Sequence, residues 1–291
     1  MIAAASIHIS IGEVAASLAL VAVATAVSFW RRAQLEGDLA VAVIRSFLQL
    51  TAVGYVIQAI FDSDSLWLVA LLLAVMVGFG SITARSRAKA VPGSLRPIAL
   101  ALATAAVVTI GLVLALGVFD PRPRYLVPVG GMVIGNAMTA AAVSLNRLAD
   151  EIRGSSLRIE ATLALGATSW EAARDAVTRS LRSGMITLID STKTTGIVFF
   201  PGTMVGMLLA GARPLDAVRL QLILLWTLLG SVALSSVLAT SLGYRGFFTA
   251  AHQLKELEAG PSESGRPRTR RSRARARLPR RSRLRRARAR R

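Results

Sequence analysis

The chain contains no cysteine and only two histidines among its 291 residues. Disulfides and thiolate metal sites are therefore excluded, and His8 and His252 lie outside the apolar runs and form no metal-binding pattern. The hydrolase motifs H-E-x-x-H and G-x-S-x-G are absent, as is the phosphate-binding loop G-x-x-x-x-G-K-[ST], because Lys193-Thr194 lacks the preceding glycines. The sequence therefore predicts a protein that is not an enzyme and that binds no nucleotide cofactor itself.

Apolar residues dominate what remains: they make up 53% of the chain, and the mean hydropathy is +0.54. Several apolar runs approach or exceed the roughly 20 residues that cross a bilayer as a helix. These patterns predict an all-α, polytopic transmembrane helical bundle with about seven spans, near Ile11–Trp30, Leu39–Ile60, Leu66–Ala84, Pro97–Phe119, Tyr125–Leu148, Met185–Ala210 and Ala217–Leu242. No Lys or Arg precedes Arg31, so a cleaved signal peptide is not expected.

The net charge of +19 is concentrated at the C-terminus. Residues 265–291 contain 15 Arg and no acidic residue, which leaves 19 − 15 = +4 for the rest of the chain. This composition predicts disorder, so we divide the chain into a membrane domain, residues 1–254, and a basic disordered tail, residues 255–291. The tail has two interpretations: contact with anionic lipid or RNA, or a solvated appendage without a specific role. We favour the second, and do not expect nucleic acid as a partner.

The connections between the apolar segments predict an orientation. Lys and Arg are more frequent after the first, third, fifth and seventh segments than after the others, although Arg122 and Arg124 follow the fourth. Because basic residues accumulate in cytoplasmic loops, we expect the N-terminus outside and the C-terminus inside, in contact with membrane lipids.

The sixth apolar segment is unusual because it contains Asp190, Lys193 and the pair Pro201-Gly202. A Pro-Gly pair breaks a helix, and in lipid the freed backbone groups need partners or a water-lined cavity. We therefore expect a kinked or interrupted span. Asp190 and Lys193 are i,i+3 neighbours, which favours a local ion pair; pairing of Asp190 with Arg45 is the alternative.

A charged stretch, residues 149–183, separates the fifth and sixth segments. Leu157, Ala161, Ala164 and Leu165 fall on one face of a predicted helix that ends at Gly166. Thr168 and Glu171 form a capping-box pattern that predicts a second helix. The pair of helices suits either docking of a soluble partner or an amphipathic helix on the membrane surface.

The stretch E-A-x-L-x-L-G-A-T within this region resembles the EAA loop of ABC-transporter permeases. In that family the short helix is the coupling helix, which seats in a groove of a separate ATPase subunit. The matching residues are Glu160, Ala161, Leu165, Gly166, Ala167 and Thr168, whereas Thr162 departs from the usual second Ala. The resemblance implies an ATP–Mg-binding ATPase subunit as a partner.

Four further stretches, IRSFLQLTAVGYVIQAIF, VPVGGMVIGNAMTAAAVSLNRL, LIDSTKTTGIVFFPGTMVGMLLAGARPLDAVRLQ and YRGFFTAAHQL, resemble the iron-export permease FetB family, which includes plant aluminium-tolerance permeases. The resemblance covers roughly residues 35–255. It implies a bacterial plasma (inner) membrane location, a permease homodimer and export of iron or another metal ion. This chain departs at Thr203, where the family has Met, although Met207 follows nearby.

Polar and sulfur-containing residues within the apolar runs are candidates for the transport route. Hard cations favour oxygen ligands, so Asp190 is the first candidate metal contact; Asn136 and Met204 are the other two. The plain alternatives are snorkelling of Arg45, packing by the methionines, and close helix contact at Gly131 and Gly135. The full candidate set is Met132, Asn136, Met138, Asp190, Lys193, Met204, Met207, Arg45 and Gln49, with the helix break at Pro201 and Gly202.

These patterns lead to one hypothesis and three alternatives. The hypothesis is an ABC-transporter permease subunit that exports iron or another metal and is driven through the coupling helix. The alternatives are an ABC permease for a nucleotide sugar or lipid, a stand-alone secondary transporter, and a membrane scaffold whose tail recruits nucleic acid.

Overall fold

The computed structural model describes residues 11–31 and 34–255, and within these ranges the chain forms helices joined by short connections. Six of the helices are long and apolar enough to cross a membrane, namely α1 to α5 and α9. The polytopic, all-α prediction is therefore confirmed. The helices are α1 (Ile11–Arg31), α2 (Glu36–Ser63), α3 (Leu66–Arg87), α4 (Leu95–Ala115), α5 (Pro123–Gly154), α6 (Ser156–Ala164), α7 (Ser169–Thr194), α8 (Gly202–Leu209) and α9 (Pro214–Gly243).

The sixth predicted segment is interrupted. Helix α7 enters it and ends at Thr194, and α8 resumes at Gly202. Between them Gly196, with φ +84, turns the chain so that its N–H donates to Phe199 O at 2.9 Å. Pro201 then precedes α8 in an extended conformation, because proline has no N–H to continue a helix. The seven predicted segments are therefore six long helices and one broken segment.

Helix α5 is the centre of the bundle and packs against α3, α4, α7 and α9. Nearly half of its buried positions carry small residues, and several of these, such as Ala137, Ala141 and Ala149, are fully buried. Small side chains let helices approach closely, and van der Waals packing then stabilises them in lipid. The prediction that Gly131 and Gly135 both make close helix contacts was wrong for Gly135, which faces open space. Gly130 lies directly against Leu73 of α3.

Helices α1 and α2 lie at the edge of the bundle. Within α2 only Ile60 is buried, in a small cluster with Val69, Leu126 and Val127. Most of the rest of α2, including Arg45 and Gln49, is exposed, so this helix presents most of its surface to the surroundings.

The helix directions follow from contacts between distant residues. Helices α5 and α9 run the same way, since Ser231 Oγ donates to Val133 O at 3.2 Å and Gly243 faces Leu145 further along. Helix α4 runs the opposite way, because Thr109 faces Gly230 while Gly246 abuts Pro92 just before α4. We call the end that carries α6 the α6 end. The α7–α8 segment therefore crosses from the α6 end to the opposite end, where α9 begins.

Charge differs between the two ends. At the opposite end, Asp62, Asp64, Asp120 and Asp216 balance Arg122, Arg124, Arg213 and Arg219, and Arg213 pairs with Asp216 at 2.8 Å. At the α6 end, residues 85–96 carry four basic side chains and no acidic one. The predicted basic tail lies outside the described residues except for Lys255, and His8 lies outside them as well.

Candidate functional site

Helix α6 presents an apolar edge to its surroundings. Leu157 is 82% exposed and Leu165 is 89% exposed, and Ala161 and Ala164 beside them are exposed too. The opposite side of α6 is anchored by Ile159, which is buried. Two large aliphatic side chains exposed on one short helix form a surface suited to a partner, and the predicted helix over these residues is confirmed.

A tight turn follows α6. Gly166 has φ +91, a conformation that side chains disfavour, and its N–H donates to Leu163 O at 2.9 Å. A side chain at Gly166 would meet nothing within 4 Å, so glycine is needed here for its backbone conformation and not for space.

The capping box predicted at Thr168 is confirmed. Thr168 N–H donates to Glu171 Oε2 at 2.8 Å, and Glu171 N–H donates to Thr168 Oγ1 at 3.3 Å. The hydrogen bond from the Thr168 backbone, followed by that from its hydroxyl, holds the pKa of the Glu171 carboxyl below its usual value. The carboxylate also suits the positive end of the α7 dipole.

Ion pairs connect α6, the start of α7 and the end of α5. Arg158 on α6 lies 2.6 Å from Asp175 on α7, and Arg179 on α7 lies 2.6 Å from Glu151 on α5. Below them the buried residues Ala173 and Val177 seat α7 on the bundle. The Arg158–Asp175 pair thus connects α6 to α7, and the Arg179–Glu151 pair connects α7 to α5.

The C-terminal segment contributes a part of this site that the sequence analysis did not assign. His252 Nδ1 accepts from the Ser169 N–H at 3.3 Å and lies 2.5 Å from Ser169 Oγ, at the first residue of α7. Trp170 packs on Tyr244, with ring centroids 5.4 Å apart. Between α6 and residues 251–254 is a cleft of about 540 Å³. In the sequence, this segment was noted only as the stretch YRGFFTAAHQL. That stretch contributed to the family resemblance, but no role was assigned to it.

The break between α7 and α8 forms a second surface. Asp190 pairs with Lys193 at 3.4 Å, and their side chains are 59% and 68% exposed. This is the local pair and not a pair with Arg45. Residues 196–200 are all exposed, among them Ile197 and Phe200. Non-helical backbone and charge within an apolar segment are tolerated only against protein or water.

The candidate route residues lie on several helices. Asn136 Nδ2 donates to Met132 O within α5 at 2.8 Å, and Met138 lies against α3 near Gly80. On α8, Met204 is buried and Met207 is half-buried. In the described ranges no hydrogen bond or ion pair joins Asn136, Asp190 and Met204, and no group of three His, Cys, Asp or Glu residues could hold a metal.

Comparison with known proteins gives consistent matches. A family model described as "Uncharacterised protein family (UPF0014)" matches residues 11–248. The "UPF0014 membrane protein STAR2" of Oryza sativa is 40% identical over 83% of this chain and 85% of its own length. The "Protein ALUMINUM SENSITIVE 3" of Arabidopsis thaliana is 37% identical over 83% of this chain and 88% of its own length.

A bacterial relative has a name that includes a transport role. The "Probable iron export permease protein FetB" of Escherichia coli is 32% identical over 83% of this chain and 93% of its own length. No solved structure matches the chain.

Proposed function

This chain belongs to the UPF0014 family, and from that premise we propose that it is the permease subunit of an ABC transporter that exports a metal cation. A separate ATPase subunit, with ATP and Mg²⁺ bound, supplies the energy. The observation that carries this proposal is the α6 surface: an exposed apolar edge, a glycine turn and a capped helix that continues into the membrane segment.

The α6 surface supports docking of a soluble partner. Leu157 and Leu165 would lose most of their exposed area in such a contact, which is a favourable term on the order of 2 kcal/mol for each leucine. The chain has no phosphate-binding loop of its own, so the partner is the subunit that hydrolyses ATP.

The broken α7–α8 segment supports a route between two copies of this chain. The non-helical backbone between α7 and α8 and the exposed Asp190–Lys193 pair cannot face lipid without a desolvation cost. A second copy placed against this surface covers the break, and a polar route lies between the two copies. We therefore propose a permease homodimer with two ATPase subunits.

The proposed cargo rests on the named bacterial relative and on the chemistry of Asp190 and Asn136. Their oxygen atoms suit a hard cation, and Met204 adds a soft sulfur donor. The excess of basic residues at the α6 end supports a cytoplasmic position for that end, so the proposed orientation in a bacterial plasma membrane has the C-terminus inside and the N-terminus outside.

The test of the proposal is binding and stimulation of an ATPase. The full chain is reconstituted in lipid nanodiscs with candidate P-loop ATPases of its source organism, and ATP hydrolysis is measured. We expect Leu165→Glu to weaken ATPase binding by about thirtyfold, the effect of losing one dominant apolar contact. Leu215→Glu is the matched control, because Leu215 is 69% exposed but lies at the opposite end.

Two results would contradict the proposal. One is equal binding by Leu165→Glu and Leu215→Glu, which would remove α6 from the interface. The other is cargo movement down an ion gradient by the purified chain alone in liposomes, which would make it a secondary transporter. Iron accumulation in cells lacking the gene separates a metal cargo from a nucleotide sugar or a lipid.

A further inference from the structure

Helix α7 joins the two surfaces of the proposed transporter without interruption. It begins at the capping box beside α6 and ends at the Asp190–Lys193 pair and the helix break. At 1.5 Å per residue its 26 residues span about 39 Å. One continuous helix therefore links the turn after α6 to the broken segment.

At Gly184, α7 closely approaches both α5 and α9. A Cβ atom at this position would overlap Ser144 Oγ of α5, lie 2.8 Å from Ser236 Oγ of α9 and 3.0 Å from Ala140 O. The missing side chain thus leaves a notch that hydroxyl groups of two other helices fill. Three helices meet at one point.

The packing of α7 differs on the two sides of Gly184. Before it, the buried positions of α7 carry small residues, such as Ala173, Ala176 and Ser180. After it, none of residues 185–194 is buried. Before Gly184, α7 packs through small side chains, and after Gly184 it packs through partly exposed ones. Such contacts resist a tilt of α7 less than interlocked large side chains would.

The hydroxyl groups at the notch lack hydrogen-bond partners. Ser144 and Ser236 are fully buried, and neither Oγ has a hydrogen-bond partner among the residues that the structure describes. A buried hydroxyl without a partner is costly and gains from any arrangement that supplies one. This conformation therefore does not use the full hydrogen-bonding capacity of the crossing.

We propose that Gly184 is the pivot on which α7 rocks as one rigid helix, so that displacement of α6 moves Asp190, Lys193 and the helix break. This inference rests on the proposed function, because the ATPase supplies the displacement. Gly184, Ser144 and Ser236 are positioning residues in this scheme and need not touch the cargo.

Distances between spin labels test the pivot directly. The chain has no native cysteine, so cysteine pairs can be introduced without background. Arg174→Cys with Thr194→Cys measures the length of α7, about 30 Å over 20 residues. Arg174→Cys with Asp150→Cys, and Thr194→Cys with Tyr125→Cys, measure each arm of α7 against α5.

We expect nucleotide binding by the ATPase–permease complex to change both arm distances while the length of α7 stays constant. A change in the length of α7 would mean that the helix bends at Gly184, and would overturn the pivot. ATP hydrolysis with unmoved labels would overturn the pivot and leave the proposed function standing. Failure of any ATPase to engage the chain refutes the proposed function and, with it, the pivot.

Variants at the notch provide a second test. Gly184→Ala overfills the crossing, and we expect transport to fall by about tenfold or more. Gly184→Ala with Ser144→Gly moves the notch from α7 to α5, and we expect it to recover part of the transport and of the arm motion.

If the single variant does not fold, Ser144→Ala serves instead: it removes a partnerless hydroxyl, so we expect a higher Tm together with lower transport. Unchanged transport in Ser144→Ala and no recovery in the double variant contradict the proposal.

Discussion

Thr168 and Glu171 show how two side chains define the start of a helix. Each accepts a hydrogen bond from the backbone of the other, so two of the amide groups that an α-helix leaves without partners at its start are satisfied. Because α7 begins directly after the α6 turn, this cap also fixes the position of the turn relative to the bundle.

Replacing the cap should loosen the start of α7. We expect Thr168→Ala to lower the local stability of this turn of helix by about 1 kcal/mol, whereas Thr168→Ser keeps the hydroxyl and should have little effect. Hydrogen exchange of the amides at residues 169–172 measures the difference. Equal protection in the two variants would show that the ion pairs of α6 and α7 fix the turn without the cap.

The cap should also respond to pH. The folded pKa of Glu171 is lowered, so its stabilising contribution is present above the ordinary carboxyl pKa and is lost as the pH falls through the folded value. We therefore expect protection of the first turn of α7 to decrease only at a pH below the range in which a free glutamate carboxyl titrates. Glu171→Gln should remove this pH dependence, since an amide does not titrate in that range.

Among the elements, the α6–α7 turn depends on a single backbone conformation. Gly166 has a positive φ and open space around its missing side chain, so substitutions there test the conformation alone. We expect Gly166→Asn to retain most ATPase stimulation, because Asn tolerates this region, and Gly166→Val to lose most of it. Membrane expression of both variants is the control, and stimulation by Gly166→Val equal to wild type would contradict the role of the turn.

Patterns local in sequence predicted the elements well. The helix at Ser156–Ala164, the cap at Thr168 and the long apolar helices all follow from periodicity and capping, which act over a few residues. The sequence also contains the reason for the broken segment, in Pro201 and Gly202. What it could not predict is which glycine makes a close contact: Gly130 and Gly184 do, and Gly135 does not, because this depends on which face of each helix meets a neighbour.

Contacts between residues far apart in the sequence could likewise not be predicted from it. Ser169 and His252 are 83 positions apart, and no periodicity relates them. The same holds for Ser144, Gly184 and Ser236, which come from three helices and meet only because α5, α7 and α9 cross at one level. The sequence predicted the candidate route residues individually, but Asn136 and Asp190 remain on separate helices without a shared contact.

At the scale of the whole molecule, one copy of the chain exposes polar groups on segments that cross the membrane. Helix α2 exposes Arg45 and Gln49 among apolar side chains, and the broken segment combines non-helical backbone with exposed side chains such as Ile197, whereas α3 and α4 expose apolar side chains such as Phe79 and Leu100. In a bilayer the apolar surfaces are satisfied by lipid and the polar ones are not.

This difference predicts which surface forms the proposed homodimer. Ile197 is 87% exposed in the broken segment, and Leu100 is 58% exposed on α4. Single-cysteine variants Ile197→Cys and Leu100→Cys, treated in membranes with a short bifunctional thiol reagent, should give a crosslinked dimer from the first and monomer from the second. The absence of native cysteine makes each band assignable to the introduced residue. Crosslinking through Leu100→Cys alone would place the interface on α4, and the non-helical backbone between α7 and α8 would then have to face protein or a water-filled cavity within one copy, because lipid cannot satisfy it.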